Sequence, residues 1–474
     1  MLEKINSSPV SLAGVKKILL YHLNQRLTRK ENYPPVLRFA IPLKSVDLLA
    51  WLQRQSTGPK LYWFDKKDDL EVAAVGAADI VSGHELSDYT QIIQRILKHS
   101  SDSCTKCRYY GGFSFYKNTA IKGEWEAFGA YQFVLPRFEI VKKDGNDFFV
   151  CTIVHPEDEE IIQLVRELDK LNFSDSLLSE ASHLVDKVYN LPDNDQWQKL
   201  INTALKRIRN DEFDKIVLAR RVELEMLSYT DPFSIISELR KTNHHTVSFC
   251  FQPREDMTFI GVTPEILYRR KNREILSEAV AGTRLRGRNN TENESLAKEL
   301  LTNEKELREH GFVTKSLKRN LSRLCTDLTS SDKVTVLKLS QLQHLFVPFK
   351  GTLEKEVTDG EILEALHPTP AVGGFPEKSI LPILRQSEPF NRGWYAAPVG
   401  WTGADSATFA VAIRSALILK NKIYLYSGAG IVDGSSPEKE WEELDNKIAH
   451  YKKLLGVDGK QTKKHQQLLG LSAG

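Results

Sequence analysis

Short apolar runs with strand character recur along this chain in bursts, and stretches of helical period separate the bursts. Residues 60–64, 70–75, 109–116, 131–140 and 148–154 are rich in aromatic and β-branched side chains, which predicts strands. The same signal returns at 215–224, 246–252 and 258–262, and again at 395–401, 409–419 and 422–426. Ahead of these, residues 1 to about 60 read as a helix-rich lead, with Val15-Lys-Lys-Ile-Leu-Leu-Tyr-His-Leu apolar on one side and a short helix at 45–53. Helical patterns also cover about 156–212 and about 293–324. A last helix opens after a glycine-rich turn at 427–430, with Ser436 as N-cap and Pro437 at the first helical position.

Strands in bursts, without strict alternation with helices, predict an α+β protein with large antiparallel sheets. No Gly/Ser/Pro-rich linker divides the chain, so one composite domain is expected. Within it we distinguish a divergent N-terminal part at 1–185, a C-terminal region at 186–457 and a polar tail at 458–474, expected to be loose in solution.

Composition narrows the function classes. Hydrophobic residues at 41% and charged residues at 27% are ordinary for a soluble globular protein. The net charge of +3 is too mild to indicate nucleic acid or a membrane surface as partner. No apolar run reaches bilayer length and the N-terminal residues carry no signal-peptide pattern, so a cytoplasmic protein is expected. Five cysteines, at 104, 107, 151, 250 and 325, argue against a disulfide framework. Cys104-Thr-Lys-Cys107 lacks the second pair a zinc site needs, and both residues are read as ordinary structural thiols.

The candidate chemistry lies in the C-terminal half. On the last helix Glu440, Glu443 and Lys447 share one face, beside glycines whose backbone a ligand can approach closely. The plain alternative is a solvated face with helix ion pairs. Lys215 heads an apolar strand; in a closed site, desolvation would make it a usable base. Glu265, in the turn Gly261-Val-Thr-Pro-Glu, suits an acid kept protonated by an apolar pocket. Residues 278–284 form a small-residue loop in which Gly282 and Thr283 suit close backbone contact. Glu309 on a helix is placed to complete an all-oxygen Mg²⁺ site with Glu440 and Glu443. Arg414 interrupts the apolar run at 409–417, and a nearly buried arginine calls for an anion such as a carboxylate.

Lys215-Ile-Val-Leu-Ala-Arg, Gly-Val-Thr-Pro-Glu265, Ala281-Gly-Thr, Glu309-His, Gln343-His344-Leu, Leu366-His-Pro-Thr-Pro-Ala371-Val-Gly-Gly-Phe-Pro, Arg392-Gly-Trp-Tyr395, Ile413-Arg414-Ser and Ser427-Gly-Ala-Gly430-Ile-Val stand in one order. Together they resemble the chorismate-utilising enzymes, a family that includes isochorismate, salicylate, anthranilate and aminodeoxychorismate synthases. The resemblance covers about 190–457 closely; before that it is weak, mainly at Tyr110-Gly-Gly-Phe-Ser-Phe. It implies one α+β domain of two large antiparallel sheets packed together with helices outside, and 186–457 as the chorismate-binding catalytic region.

Lys215 stands where water-using members carry a lysine, and Ala281 stands where aminodeoxychorismate synthases carry a nucleophilic lysine. Ala371 and the run 393–401 are most similar to isochorismate synthases of the menaquinone type. The resemblance therefore implies Mg²⁺-dependent, reversible conversion of chorismate to isochorismate, with Lys215 as base and Glu265 as acid. Tyr395 and Arg414 would hold the enolpyruvyl carboxylate, Lys447 and the Gly428 and Gly430 amides would support substrate or metal, and His344 would line the pocket. The alternatives are a salicylate synthase, which goes on to eliminate pyruvate, and a non-catalytic chorismate-binding homologue. No amidotransferase subunit is implied, and a monomer or weak homodimer is expected. One departure from the pattern is the short stretch 402–409, which leaves the approach to Arg414 open.

Overall fold

A computed structural model describes residues 2–5, 8–29, 35–98, 107–174, 177–178, 184–243, 246–338 and 342–457. Strands of the N-terminal and C-terminal parts interleave. In a first sheet the order is Val185–Leu191, Lys215–Met226, Lys422–Ile431, Ser415–Leu419, Met257–Thr263, Val247–Arg254, Lys60–Asp65 and then the first half of Leu70–Gly83. The second half of Tyr131–Lys143, Asn146–Val154 and Val36–Leu43 extend it. The second sheet begins where the first ends. The far half of Leu70–Gly83 pairs with the near half of Tyr131–Lys143, followed by Tyr109–Phe113, Pro398–Thr402, Ser406–Val411, Ile266–Lys271, Glu274–Leu285 and Leu342–Leu353. All of these pairings are antiparallel.

The two sheets are thus one hydrogen-bonded surface, bent where two long strands pass from one to the other. The bend falls at a register shift between Ala77 and Asp79, flanked by Gly76 at a φ of +69° and by Pro136. A β-bulge of this kind increases twist and lets a strand change layers.

Alternation of side chains across the first sheet builds two cores. One face, with Ile216, Leu218, Phe249, Phe259 and Tyr426, packs on Phe113, Val399, Trp401 and Phe409 of the second sheet. Trp394 and Trp125 fill this layer edge-on against Phe128, Phe251 and Phe259. The other face, with Val222, Leu224, Ile260, Ile418 and Leu425, packs under helical residues that include Leu49, Phe233, Ile236, Ile448 and Tyr451.

The helix-rich lead contains the Leu12–Arg29 and Leu48–Gln53 helices but also a strand, Val36–Leu43. Its Val-Leu-Arg-Phe-Ala-Ile-Pro-Leu run is buried on both faces, so it lacks the alternation that marks a half-exposed strand. Strand Val185–Leu191 interrupts the helical stretch at 156–212. It lies at the edge of the sheet, largely exposed, and its apolar residues Val185, Val188, Tyr189 and Leu191 do not alternate with the polar ones, so the strand period is missing. The stretch at 293–324 is two helices, Asn290–Thr302 and Glu304–Leu321, and Asn303 caps the second by accepting the Glu306 N–H at 3.1 Å.

Residues 278–284 are not a loop. They continue strand Glu274–Leu285, with a bulge between Ala281 and Thr283 and Gly282 at a φ of +70°. The glycine-rich turn at 427–430 is strand as well, inside Lys422–Ile431. Cys107, read as an ordinary thiol, is buried and disulfide-bonded, whereas Cys151, Cys250 and Cys325 are free. This is one bridge rather than a framework, and Cys104 lies outside the described residues, as does the tail from 458. No described helix is long and apolar enough to cross a membrane.

Candidate active site

The chain steps between the sheets twice, side by side, and each step presents a charged residue to one cavity. Strand Met257–Thr263 belongs to the first sheet and Ile266–Lys271 to the second; Pro264 and Glu265 form the step. Ser406–Val411 and Ser415–Leu419 make the return crossing, with Arg414 at its end. The steps are stitched by Val411 N–H to Glu265 O (3.0 Å) and Val262 N–H to Arg414 O (3.2 Å). The run at 409–417 is therefore two strands and a break, not one strand interrupted by a charge. Arg414 has a φ of +49°, and Tyr451 donates to its carbonyl at 3.0 Å, which fixes the break. The short stretch 402–409 closes a tight hairpin, with Gly403 N–H donating to Ser406 O at 2.9 Å and Thr402 opposite Ala407. It turns at the end of these strands remote from Arg414, so its length does not change the cavity wall.

Glu265 is 5% exposed, and burial pushes its carboxyl up to about 7, although Lys215, Lys447 and Arg414 pull the other way. Arg414 is 9% exposed, and burial lowers its guanidinium to about 10. Its Nη2 lies at hydrogen-bond distance, 3.0 Å, from His344 Nε2. A guanidinium only donates, so Nε2 accepts and the ring proton sits on Nδ1, which lies 3.2 Å from both Gly282 O and Thr283 Oγ1. Burial, with Arg414 and Lys447 nearby, lowers His344 to about 3, so the ring is neutral.

Lys215, the first residue of its strand, is fully buried. Its Nζ lies 3.0 Å from Glu309 Oε1 in an ion pair whose alignment falls short of a hydrogen bond. Burial works against an ionised Glu309, but Lys215, then Lys447 and Lys305, hold it below the usual carboxylate range. Gly430 makes this contact possible: a Cβ there would collide with the Glu309 carboxylate and lie 2.9 Å from Lys215 Cε. Gly428 plays the same part for Tyr395, whose hydroxyl a Cβ would meet at 3.0 Å. Tyr395 stacks on Tyr426 with centroids 5.0 Å apart, and Lys447 Nζ donates to Gly428 O at 2.8 Å.

Glu265, Gly282, Thr283, Glu309, His344, Ala371, Tyr395, Arg414, Gly428, Glu443 and Lys447 all line this one cavity. Lys215 and Gly430 stand directly behind Glu309, and Glu440 stands behind Lys305. Among the described residues no three acidic, histidine or cysteine side chains converge as a ready metal cage. Each carboxylate instead has its own cation: Glu309 has Lys215, Glu443 has Lys447 at 2.7 Å, and Glu440 has Lys305 at 2.7 Å. Glu306, which the sequence reading passed over, pairs with Arg284 at 2.9 Å and accepts the Thr283 N–H at 3.2 Å. Its signal was available, since Glu306 and Glu309 stand three apart on one helix and so share a face. Lys305 was missed because its partner comes from a helix more than a hundred residues away.

The residues present fit a hard divalent cation. The donors are all carboxylate oxygens, and Glu440, 1% exposed, keeps Oε2 buried without a hydrogen bond of ordinary geometry. Burial, with Glu443 next to it, raises the Glu440 carboxyl, a cost that a bound cation would relieve.

The sequence profile of the "Chorismate binding enzyme" family matches residues 22–456. The chain is 34% identical to the chloroplastic isochorismate synthase of Catharanthus roseus over 86% of this chain and 71% of that protein. It is 30% identical to the isochorismate synthase MenF of Escherichia coli, over 94% and 100% of the two chains. The solved structure of MenF, described as the menaquinone-specific isochorismate synthase from Escherichia coli, superposes with a TM-score of 0.84 at 29% identity, covering 94% of this chain and all of that one. Anthranilate synthase component I from Streptococcus pneumoniae shares the fold, with a TM-score of 0.66 at 19% identity.

Proposed function

Since this chain belongs to the chorismate-binding enzyme family, we propose that it is an isochorismate synthase, an isomerase that moves the hydroxyl of chorismate from C4 to C2. The observation that carries this reading is one cavity lined by a buried carboxyl raised to about 7, by Glu309 with Lys215 paired behind it, and by a buried arginine with no ion-pair contact to an acidic side chain among the described residues.

Water adds at C2 and its proton passes to Lys215 as general base. The ring double bonds shift, the C4–O bond breaks, and Glu265 gives its proton to the departing hydroxyl. One proton is taken and one is given, so the product is an isomer, and the reverse reaction exchanges the two roles. A carboxyl near 7 is suited to both, because at neutral pH it is neither firmly protonated nor firmly ionised.

Arg414, with its planar fork held by neutral His344, and Tyr395 bind the enolpyruvyl carboxylate. Gly282 and Thr283 form the wall beside His344, Ala371 leaves room at the ring, and Lys447 with the Gly428 and Gly430 backbone supports substrate or metal. Glu309 and Glu440, with Glu443 assisting, would hold Mg²⁺, which when bound neutralises the ring carboxylate that would otherwise face these acids.

The test is to incubate purified protein with chorismate and Mg²⁺ and separate the products by chromatography. The expected result is a chorismate–isochorismate mixture that stops short of completion, abolished by EDTA and restored by Mg²⁺. Stoichiometric salicylate and pyruvate would assign the chain to the salicylate-forming branch, and full turnover in EDTA would remove the metal.

A further inference from the structure

Of the four cations that neutralise carboxylates around the cavity, Lys305 is the one for which the reaction gives no task. Lys215 is the base, Lys447 also holds Gly428 O, and Arg284 anchors Glu306 next to Thr283. Lys305 lies in the first turn of helix Glu304–Leu321, four residues before Glu309. It reaches across to helix Pro437–Leu454 and places Nζ 2.7 Å from Glu440 Oε1. Among these pairs it is the one that joins the two helices supplying the carboxylates. Its side chain is 28% exposed while that of Glu440 is 1% exposed, so the ammonium closes the solvent side of an otherwise buried acid.

We propose that Lys305 is a resident counter-cation: it holds Glu440 in place when no metal is bound, and a divalent cation binds by displacing it. This rests on the reading of Glu309, Glu440 and Glu443 as metal ligands. The physical basis is direct. An ammonium and a dication compete for one carboxylate, and within a few ångströms they repel each other. Even at the dielectric constant of water, a unit charge about 6 Å from a dication weakens its binding about tenfold. Lys305 thus lowers metal affinity in exchange for a carboxylate that is already oriented. It is a positioning residue, and the sign of its effect on affinity separates it from a simple anchor. Removing a competitor tightens metal binding, whereas removing an anchor alone loosens it.

The experiment follows melting temperature against Mg²⁺ concentration, at constant ionic strength and mildly alkaline pH, for the full chain without substrate. Preferential binding to the folded state raises Tm and yields an apparent Kd. Wild type, Lys305→Met, Lys305→Arg and Glu440→Gln are compared. The expected result is Mg²⁺ binding about tenfold tighter in Lys305→Met, near wild type in Lys305→Arg, and lost in Glu440→Gln. Should the methionine variant not fold, Lys305→Gln removes the charge while keeping a donor toward Glu440. Affinity in Lys305→Met equal to or weaker than wild type, with Glu440→Gln still deficient, overturns the role of Lys305 and leaves the metal site standing. No saturable Mg²⁺ effect in any variant overturns the metal site and Lys305 together.

Discussion

Two buried clusters of paired charges adjoin strand Lys215–Met226, and they differ in how completely their atoms are used. In the first, Arg392 is fully buried and donates to Glu388 Oε2 from Nε at 2.8 Å, and from Nη2 to Glu388 Oε1 at 2.6 Å and Val217 O at 2.7 Å. Nη1 donates to Val372 O at 2.7 Å, Ala219 N–H donates to Glu388 at 2.8 Å, and the guanidinium lies 4.3 Å from the Phe115 ring centre. In the second cluster, around the cavity, Lys215 is ion-paired without good alignment, Glu440 Oε2 has no hydrogen bond of ordinary geometry, and Arg414, whose Nη2 donates to a neutral histidine, has no ion-pair contact with an acidic side chain among the described residues. A network whose donors and acceptors are all matched holds structure in place. One left incomplete, at comparable depth, has capacity for a ligand. The first cluster also serves the second, because it clamps together the Lys215 strand, the Val372 loop beside Ala371 and the segment leading to Tyr395.

This contrast is best broken at Arg392. Arg392→Ala leaves Glu388 buried and unpaired, and should cost about 3 to 5 kcal/mol of stability, seen as a large fall in Tm; a small fall would show that the clamp is dispensable. Lys215→Ala and Glu265→Gln should do the opposite. Each should lower kcat at least about 100-fold while the fold survives, and a variant that retains near wild-type turnover removes that residue from the mechanism.

A pH experiment gives the finer contrast. Between pH 4.5 and about 7 the folded protein keeps a proton on Glu265 that an unfolded chain has released. The native state then binds more protons, so stability falls as pH rises through this window, by up to about 3 kcal/mol from this group. Denaturant unfolding of Glu265→Gln should lack that component. The variant should gain on wild type from pH 4.5 to 7, with the difference constant above it, and parallel profiles would show that burial does not strain Glu265.

Strand 131–140 was legible from its density of aromatic and β-branched side chains, 422–426 from its alternation, and the final helix because Ser436 and Pro437 mark its start. Val36–Leu43 and Val185–Leu191 were not, since a strand buried on both faces and an exposed edge strand both lose the alternation on which such reading depends. The glycines at 282, 428 and 430 carried a true signal of close approach, but it was read as turn. Only the structure reveals that Glu306, Tyr395 and Glu309 press against strands at those points.

By itself, then, the amino-acid sequence determined which residues are chemically able to act, because acid, base and oxygen-donor character belong to the side chains, and it determined the family, because those residues stand in a fixed order. Tertiary structure decided their state. Glu265 and Arg414 meet only because the chain crosses between sheets twice at one place. The carboxyl near 7, the neutral His344 and the cation beside each carboxylate arise from desolvation and from charges brought in by distant strands and helices. Those are properties of an environment, and no local stretch of the chain encodes them.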